Sequence, residues 1–103
     1  MIEKRETYNK LYDVYYKLLT KKQRSYFEMY YKEDYSLFEI ANFFEVSRNA
    51  VFDQLNKTIK KLENFEESLK IIFKENYQKE QLEQYLKTKD EKYLKNMIET
   101  EVD

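Results

Sequence analysis

The side chains best suited to recognising another molecule lie between residues 47 and 61 of the 103-residue chain. If a helix begins at Ser47, Val51 and Leu55 face inward and the first two turns present polar side chains outward. Arg can pair with guanine O6 and N7, Asn with adenine N6 and N7, and Asp with cytosine N4. The candidates for contact with base edges are Arg48, Asn49, Phe52, Asp53 and Asn56.

Cationic side chains on this helix and on the preceding one could contact phosphates. With about six such contacts, affinity would fall by roughly 10³-fold between about 50 and 200 mM salt. The alternative is that the unit serves only for packing and that its lysines are simply solvated. The candidate phosphate contacts are Lys57, Lys60, Lys61, Lys21, Lys22 and Arg24.

Residue types that are absent exclude most catalytic chemistry. Without Cys or His, the usual zinc sites, thiol nucleophiles and Ser-His-Asp triads are impossible. Without Gly, neither a P-loop nor a dinucleotide-binding fingerprint can form. Glu63, Glu66 and Glu67 form an acidic cluster that could bind a divalent cation. We interpret it as a solvated helix face, because nothing nearby supplies further metal ligands. We therefore expect no enzyme activity, no metal and no cofactor.

Composition also bears on location. The absence of Cys fits a cytoplasmic protein. No apolar run approaches the roughly 18 residues that span a bilayer, and no signal peptide opens the sequence. We expect a cytoplasmic protein without membrane insertion.

The charge is divided unevenly along the chain. Residues 1–61 contain 12 Lys or Arg and 9 Asp or Glu, whereas residues 62–103 contain 7 and 11. The first segment therefore has a net charge of +3 and can approach a polyanion, while the second has a net charge of −4.

Apolar spacing predicts a helix from Glu3 to Leu19, and capping signals then divide the following residues. Thr20 with Gln23, and later Ser36, form S/T-x-x-E/Q capping boxes that open the second and third helices. The inward residues predicted for the first helix are Tyr8, Leu11, Tyr12, Tyr15, Leu18 and Leu19.

The second helix is predicted to end at Glu33–Asp34. It carries an aromatic ladder of Tyr26, Phe27, Tyr30 and Tyr31. Such rings can stack on unpaired RNA bases, but at helical spacing the favoured interpretation is a core stripe.

Residues 35–61 have the pattern of a helix-turn-helix. A short helix with Ile40 and Ala41 facing inward is followed by a tight connection. There the apolar Val46 side chain is predicted to fill the angle between the two helices. Because no Gly is present, Glu45 must adopt the left-handed backbone conformation of the turn, which costs free energy through steric strain. Ser47 then caps the recognition helix.

The apolar spacing continues without interruption from Val51 to Phe73, which predicts one helix from Ser47 to about Glu75. Two shorter helices follow, one around Leu82 and one after a cap at Asp90. The long helix needs a partner for its apolar edge, either the tail helices or a second copy in a homodimer. The residues of this predicted interface are Leu62, Phe65, Leu69, Ile72 and Phe73.

Residues 18–58 resemble the YlxM-like family of small bacterial proteins, whose domain is similar to sigma-factor region 4. The matching elements are Leu19-Thr20, Gln23-Arg24, Tyr30-Tyr31, Ser36-Leu37, Glu39-Ile40-Ala41, Val46-Ser47-Arg48 and Ala50-Val51. The resemblance implies an accessory role in the signal recognition particle pathway, with the particle's GTPase or RNA as partner. The family tends to carry a basic residue where this chain has Asn56.

We thus predict an all-α fold with a helix-turn-helix core over residues 1–61. Residues 62–103 would continue the long helix and add a short helical tail. Three functions stay open: an accessory protein of the signal recognition particle pathway that binds RNA or DNA, a sequence-specific DNA-binding transcriptional regulator, and a protein-interaction module without nucleic-acid binding.

Overall fold

The computed structural model describes residues 2–99, with side chains from residue 4 onward. The chain divides into two compact units between Ser68 and Leu69. Every regular element within the described range is helical, and no strand occurs there. The predicted all-α class is confirmed.

The first unit contains three helices and most of a fourth. Helix α1 ends in a short 3₁₀ turn, and α2 continues directly into a π-helical segment. The bounds are α1 Ile2–Tyr15, the 3₁₀ turn Tyr16–Leu18, α2 Lys21–Phe27, the π-helical segment Glu28–Lys32, α3 Leu37–Phe44 and α4 Arg48–Leu69.

Both predicted capping boxes are present. The Thr20 hydroxyl accepts a hydrogen bond from the Gln23 N–H, and the Gln23 side chain accepts one from the Thr20 N–H, each at 3.1 Å. The same exchange joins Ser36 to Glu39, at 3.1 and 2.9 Å. Residues three apart therefore define the starts of α2 and α3 without help from distant contacts.

The core of this unit is largely aromatic. The Tyr12 and Phe27 rings stack with centroids 4.5 Å apart, and the Tyr15 hydroxyl donates to Glu66 at 2.6 Å. Tyr26 and Phe27 are fully buried, which confirms the core interpretation for that half of the aromatic ladder.

Leu18, predicted to face inward, is half exposed, because the 3₁₀ turn changes the angular spacing at the end of α1.

The π-helical segment is held by side chains of α1. Arg5 Nη2 donates to the Tyr30 carbonyl at 3.3 Å, and Asn9 Nδ2 donates to the Tyr31 carbonyl at 3.4 Å. These carbonyls lie in the last turn of the segment, where intrahelical N–H donors are lacking, and the two side chains supply replacements.

The connection between α3 and α4 has the predicted left-handed residue. Glu45 has φ 57° and ψ 46°, and its N–H donates to the carbonyls of Ala41 and Asn42. The Val46 N–H also donates to the Ala41 carbonyl, at 3.0 Å. Val46 is 38% exposed, so its hydrogen bond rather than a buried apolar side chain secures the angle, contrary to the prediction.

The prediction of one helix from Ser47 to about Glu75 is wrong. Helix α4 ends at Leu69, Lys70 is left-handed with φ 54°, and α5 begins at Ile71. The apolar spacing runs through this break unchanged, since both helices have the same period, and therefore gave no sign of it.

The second unit contains α5 (Ile71–Thr88) and α6 (Lys92–Glu99). The two helices pack together, and the Asn96 side-chain amide donates to the buried Gln81 oxygen at 2.8 Å. The predicted cap is confirmed, because the Asp90 carboxylate accepts from the Lys92 N–H at 3.0 Å.

Two residues of the predicted interface do not form an exposed edge. Leu62 is fully buried, and the half-buried Phe65 ring lies 5.9 Å from that of Tyr15. Ile72 is half-buried, whereas Leu69 and Phe73 are exposed. A partner copy at this surface stays a prediction, now confined to the residues from Leu69 onward.

Replacing Glu45 by Gly tests the free-energy cost of the left-handed backbone conformation at this turn. Glu45→Gly should raise the free energy of unfolding by about 1 kcal/mol, because Gly adopts the left-handed conformation without a side-chain clash. Urea denaturation measures the change. The matched control is Glu63→Gly on the exposed surface of α4, which should lower stability by roughly 0.5–1 kcal/mol. Equal effects of the two changes would contradict a strained turn.

Alkaline pH should destabilise the first unit. Burial, with smaller contributions from the neighbouring Tyr30 and Tyr8, raises the pKa of Tyr31 to about 12; burial and Glu28 also raise the pKa of Tyr12. The folded state therefore holds these protons more tightly than the unfolded chain, and stability declines as pH rises from about 10 towards 12. Tyr31→Phe should lessen the decline in chemical denaturation, while Tyr35→Phe, on an exposed ring, should leave it unchanged.

Candidate nucleic-acid interface

The leading end of α4 begins where the sequence predicts it. The Ser47 hydroxyl accepts from the Ala50 N–H at 3.0 Å, and the Val51 N–H donates to the Ser47 carbonyl at 3.2 Å. The first turn of α4 contains no acidic residue, which leaves this helix end suited to an anion.

One side of α4 is buried and the other carries the predicted contact residues. Val51 and Leu55 are 0% and 3% exposed and pack with Ile40 and Ala41 of α3. All five predicted base contacts lie on the exposed side, and we call them the recognition face: Arg48, Asn49, Phe52, Asp53 and Asn56.

The lysines farther along α4 differ in exposure. Lys57 and Lys60 are exposed. Lys61 is half-buried, with its Nζ 3.5 Å from the Gln23 side-chain oxygen and 5.9 Å from the Phe65 ring centroid. Lys61 thus contributes to the link between α2 and α4 more than to a phosphate surface.

This link brings the predicted cations of α2 beside those of α4. Lys21 and Lys22 are exposed, whereas Arg24 is half-buried. The structure therefore reduces the six predicted phosphate contacts to four accessible ones, which we call the flanking lysines: Lys21, Lys22, Lys57 and Lys60.

The positive charge of this surface is not neutralised locally. Across residues 4–99, the ion pairs join Arg5 to Asp34, Lys32 to Asp13 and Lys92 to Asp90, and none engages Arg48 or a flanking lysine. Asp53 is the single acidic member of the recognition face, and it repels phosphates while offering an acceptor to a base amine.

Gln23 has a role that the sequence did not reveal. Its side chain completes the capping box and also meets Lys61, 38 residues away. No local pattern encodes such a contact, because only the packing of α2 against α4 creates it.

The described residues offer little for a metal site or a membrane-spanning helix. Where side chains are described, no group of three or more acidic residues is placed to hold a metal ion. Glu66 accepts a hydrogen bond from Tyr15 instead of joining Glu63 and Glu67 in a cluster. None of the described helices has the length and apolar character needed to cross a membrane.

Comparison with known proteins agrees with this architecture. Residues 2–102 match the UPF0122 family model, described as "Putative helix-turn-helix protein, YlxM / p13 like". A UPF0122 protein of Anoxybacillus flavithermus is 44% identical, covering 98% of this chain and 97% of its own length. One from Geobacillus sp. (strain WCH70) is 46% identical, with 95% and 94% covered. Another, from Oceanobacillus iheyensis, is 51% identical over 72% of this chain and 70% of its own.

The family model covers nearly the whole chain, and the Anoxybacillus and Geobacillus relatives are 44% and 46% identical over almost its full length, so the resemblance seen in residues 18–58 is confirmed. The chain belongs to the UPF0122, YlxM / p13-like, family of helix-turn-helix proteins.

Proposed function

We propose that this protein is a non-enzymatic accessory protein of the signal recognition particle pathway that binds the particle's RNA through the recognition face. The observation that carries the proposal is the exposed display of Arg48 and Asn49 at the capped start of a helix whose opposite side is buried. Helix-turn-helix membership supports nucleic-acid binding. The assignment to the pathway rests on the family resemblance.

RNA would be recognised at unpaired bases. The major groove of an A-form helix is too narrow for side chains to read, so proteins contact loops and bulges, where bases stack on aromatic rings. Phe52, 52% exposed, offers such a ring between Arg48 and Asn56. Arg48 and Asn49 can then hydrogen-bond the edges of the unstacked bases.

A DNA-binding regulator is the second candidate, and the geometry of α4 favours it. The B-DNA major groove is about 12 Å wide and admits a helix whose leading turns carry Arg and Asn. The third candidate, a protein-interaction module, requires no binding to either nucleic acid.

The electrostatic contribution can be bounded from the flanking lysines. Four phosphate contacts imply that affinity falls by about 10²-fold between about 50 and 200 mM salt. This is a smaller dependence than six contacts would give, because Lys61 and Arg24 are half-buried.

Titration of the full chain against the particle RNA, random duplex DNA and the purified particle GTPase, each at two salt concentrations, separates the candidates. Salt-dependent preference for the particle RNA supports the proposal. Preference for duplex DNA favours the regulator. Binding to the GTPase alone contradicts nucleic-acid recognition.

The double variant Lys57→Ala/Lys60→Ala tests the flanking lysines. Each removed phosphate contact should reduce the slope of log K against log salt by about 1, and affinity should fall equally for all RNA sequences. Fluorescence anisotropy at several salt concentrations measures both effects. Lys79→Ala, an exposed lysine of the second unit, is the matched control. An unchanged slope would exclude these lysines from the interface.

Arg48→Ala tests base recognition. Loss of a bidentate contact should weaken binding to the preferred RNA by about 1–3 kcal/mol, while binding to unrelated RNA changes much less. Competition with unlabelled particle RNA and with a scrambled RNA measures this difference. An equal loss for both RNAs would assign Arg48 to phosphate contact, and no loss would exclude it from the recognition face.

A further inference from the structure

A groove separate from the recognition face lies between the π-helical segment and α3. Its volume is about 630 Å³, and its walls combine apolar and acidic side chains. The lining residues are Met29, Glu33, Tyr35, Glu39, Asn42 and Phe43. None of them belongs to the recognition face or to the flanking lysines.

Large rings stand exposed at this groove. Phe43 is 72% exposed, although Phe44 beside it packs on Tyr26 with ring centroids 4.8 Å apart. Tyr35 is 42% exposed, and Phe38 of the same helix is 59% exposed. Helix α3 therefore buries Ile40 and Ala41 and leaves Phe38 and Phe43 exposed, and exposed apolar side chains of this size are typical of interaction surfaces.

The groove is also negatively charged. Residues 33–45 contain four acidic side chains and no Lys or Arg. Asp34 pairs with Arg5, whereas Glu33 and Glu39 have no ion pair within the described residues. These carboxylates repel nucleic-acid phosphates and attract a cationic ligand.

We propose that this groove binds an amphipathic helix of a partner protein, with apolar side chains on one face and Lys or Arg beside them. The apolar side chains contact Met29, Tyr35 and Phe43, and the cations pair with Glu33 and Glu39. A helix fits better than a strand, because both walls are helical and the described residues offer no sheet edge for strand addition.

This proposal does not depend on the proposed function. The flanking lysines beside the recognition face are positively charged and the groove is negatively charged, so the two surfaces select ligands of opposite charge. The partner helix and a nucleic acid can therefore be tested separately on the same full-length chain.

A direct test uses a synthetic Leu/Lys amphipathic helix of about 18 residues, roughly 27 Å long. The matched control peptide has Glu in place of every Lys. Because the chain lacks Cys, Asn42→Cys accepts a single fluorophore in the groove, and Asn76→Cys places one on the exposed surface of α5. We expect saturable binding of the Lys peptide reported at residue 42 only, and about tenfold or weaker binding of the Glu peptide.

Two variants then locate the contacts. Phe43→Ala should weaken peptide binding about tenfold or more, as loss of a buried aromatic anchor does. Glu39→Gln should weaken it several-fold while preserving the fold, because Gln also completes a capping box with Ser36. Phe73→Ala, an exposed ring of α5, is the control and should have no effect. Circular dichroism verifies that every variant is folded.

Three results would overturn the proposal. The first is absent peptide binding, or equal binding of both peptides. The second is binding that Phe43→Ala leaves unchanged. The third is sedimentation in which the chain self-associates and Phe43→Ala abolishes the association, which would assign the groove to a second copy. RNA binding should survive Phe43→Ala. If Arg48→Ala loses RNA affinity but keeps peptide binding, the result concerns only the proposed function.

Discussion

The buried cluster shared by α2, α3 and α4 is the interaction on which the first unit depends. Ile40 and Ala41 of α3 pack with Val51 and Leu55 of α4, and Tyr26 of α2 completes the cluster. We call the contact of these α3 and α4 residues the seam. The turn beside the seam keeps its backbone hydrogen bonds, because the Glu45 and Val46 N–H groups donate to carbonyls at the end of α3. The seam therefore fixes the direction of α4 and, with it, the side that faces outward.

Side chains of opposite charge lie on different surfaces of the first unit. The outward side of α4 and the start of α2 carry lysines, while the groove beside α3 is lined by Glu33, Glu39 and the exposed Phe43 ring. Residues 1–68 contain 12 Lys or Arg and 12 Asp or Glu, so unit one has no net charge, yet the flanking lysines and the groove carry charges of opposite sign. Net charge alone would describe this protein as a poor partner for any polyion, and the arrangement of the charges matters more than their sum.

Features encoded by neighbours in sequence could be predicted. The capping pairs at Thr20 and Ser36, the left-handed Glu45 and the recognition face follow from residues three or four apart. The end of α4 could not, because a left-handed Lys70 leaves the apolar period intact. Burial of Leu62 and half-burial of Phe65 depend on contacts with distant residues. The acidic groove was missed because it arises only where the π-helical segment meets α3.

The π-helical segment from Glu28 to Lys32 also constrains how chain length can vary. Its closing hydrogen bond joins the Glu33 N–H to the Glu28 carbonyl at 2.9 Å, which spans one residue more than an α-helical bond does. Deleting a single residue here would restore ordinary helical winding and leave the downstream helices close to their places, whereas the same deletion within α2 would rotate them by about 100°. A related chain that is one residue shorter at this stretch could thus keep the same arrangement of α3 and α4.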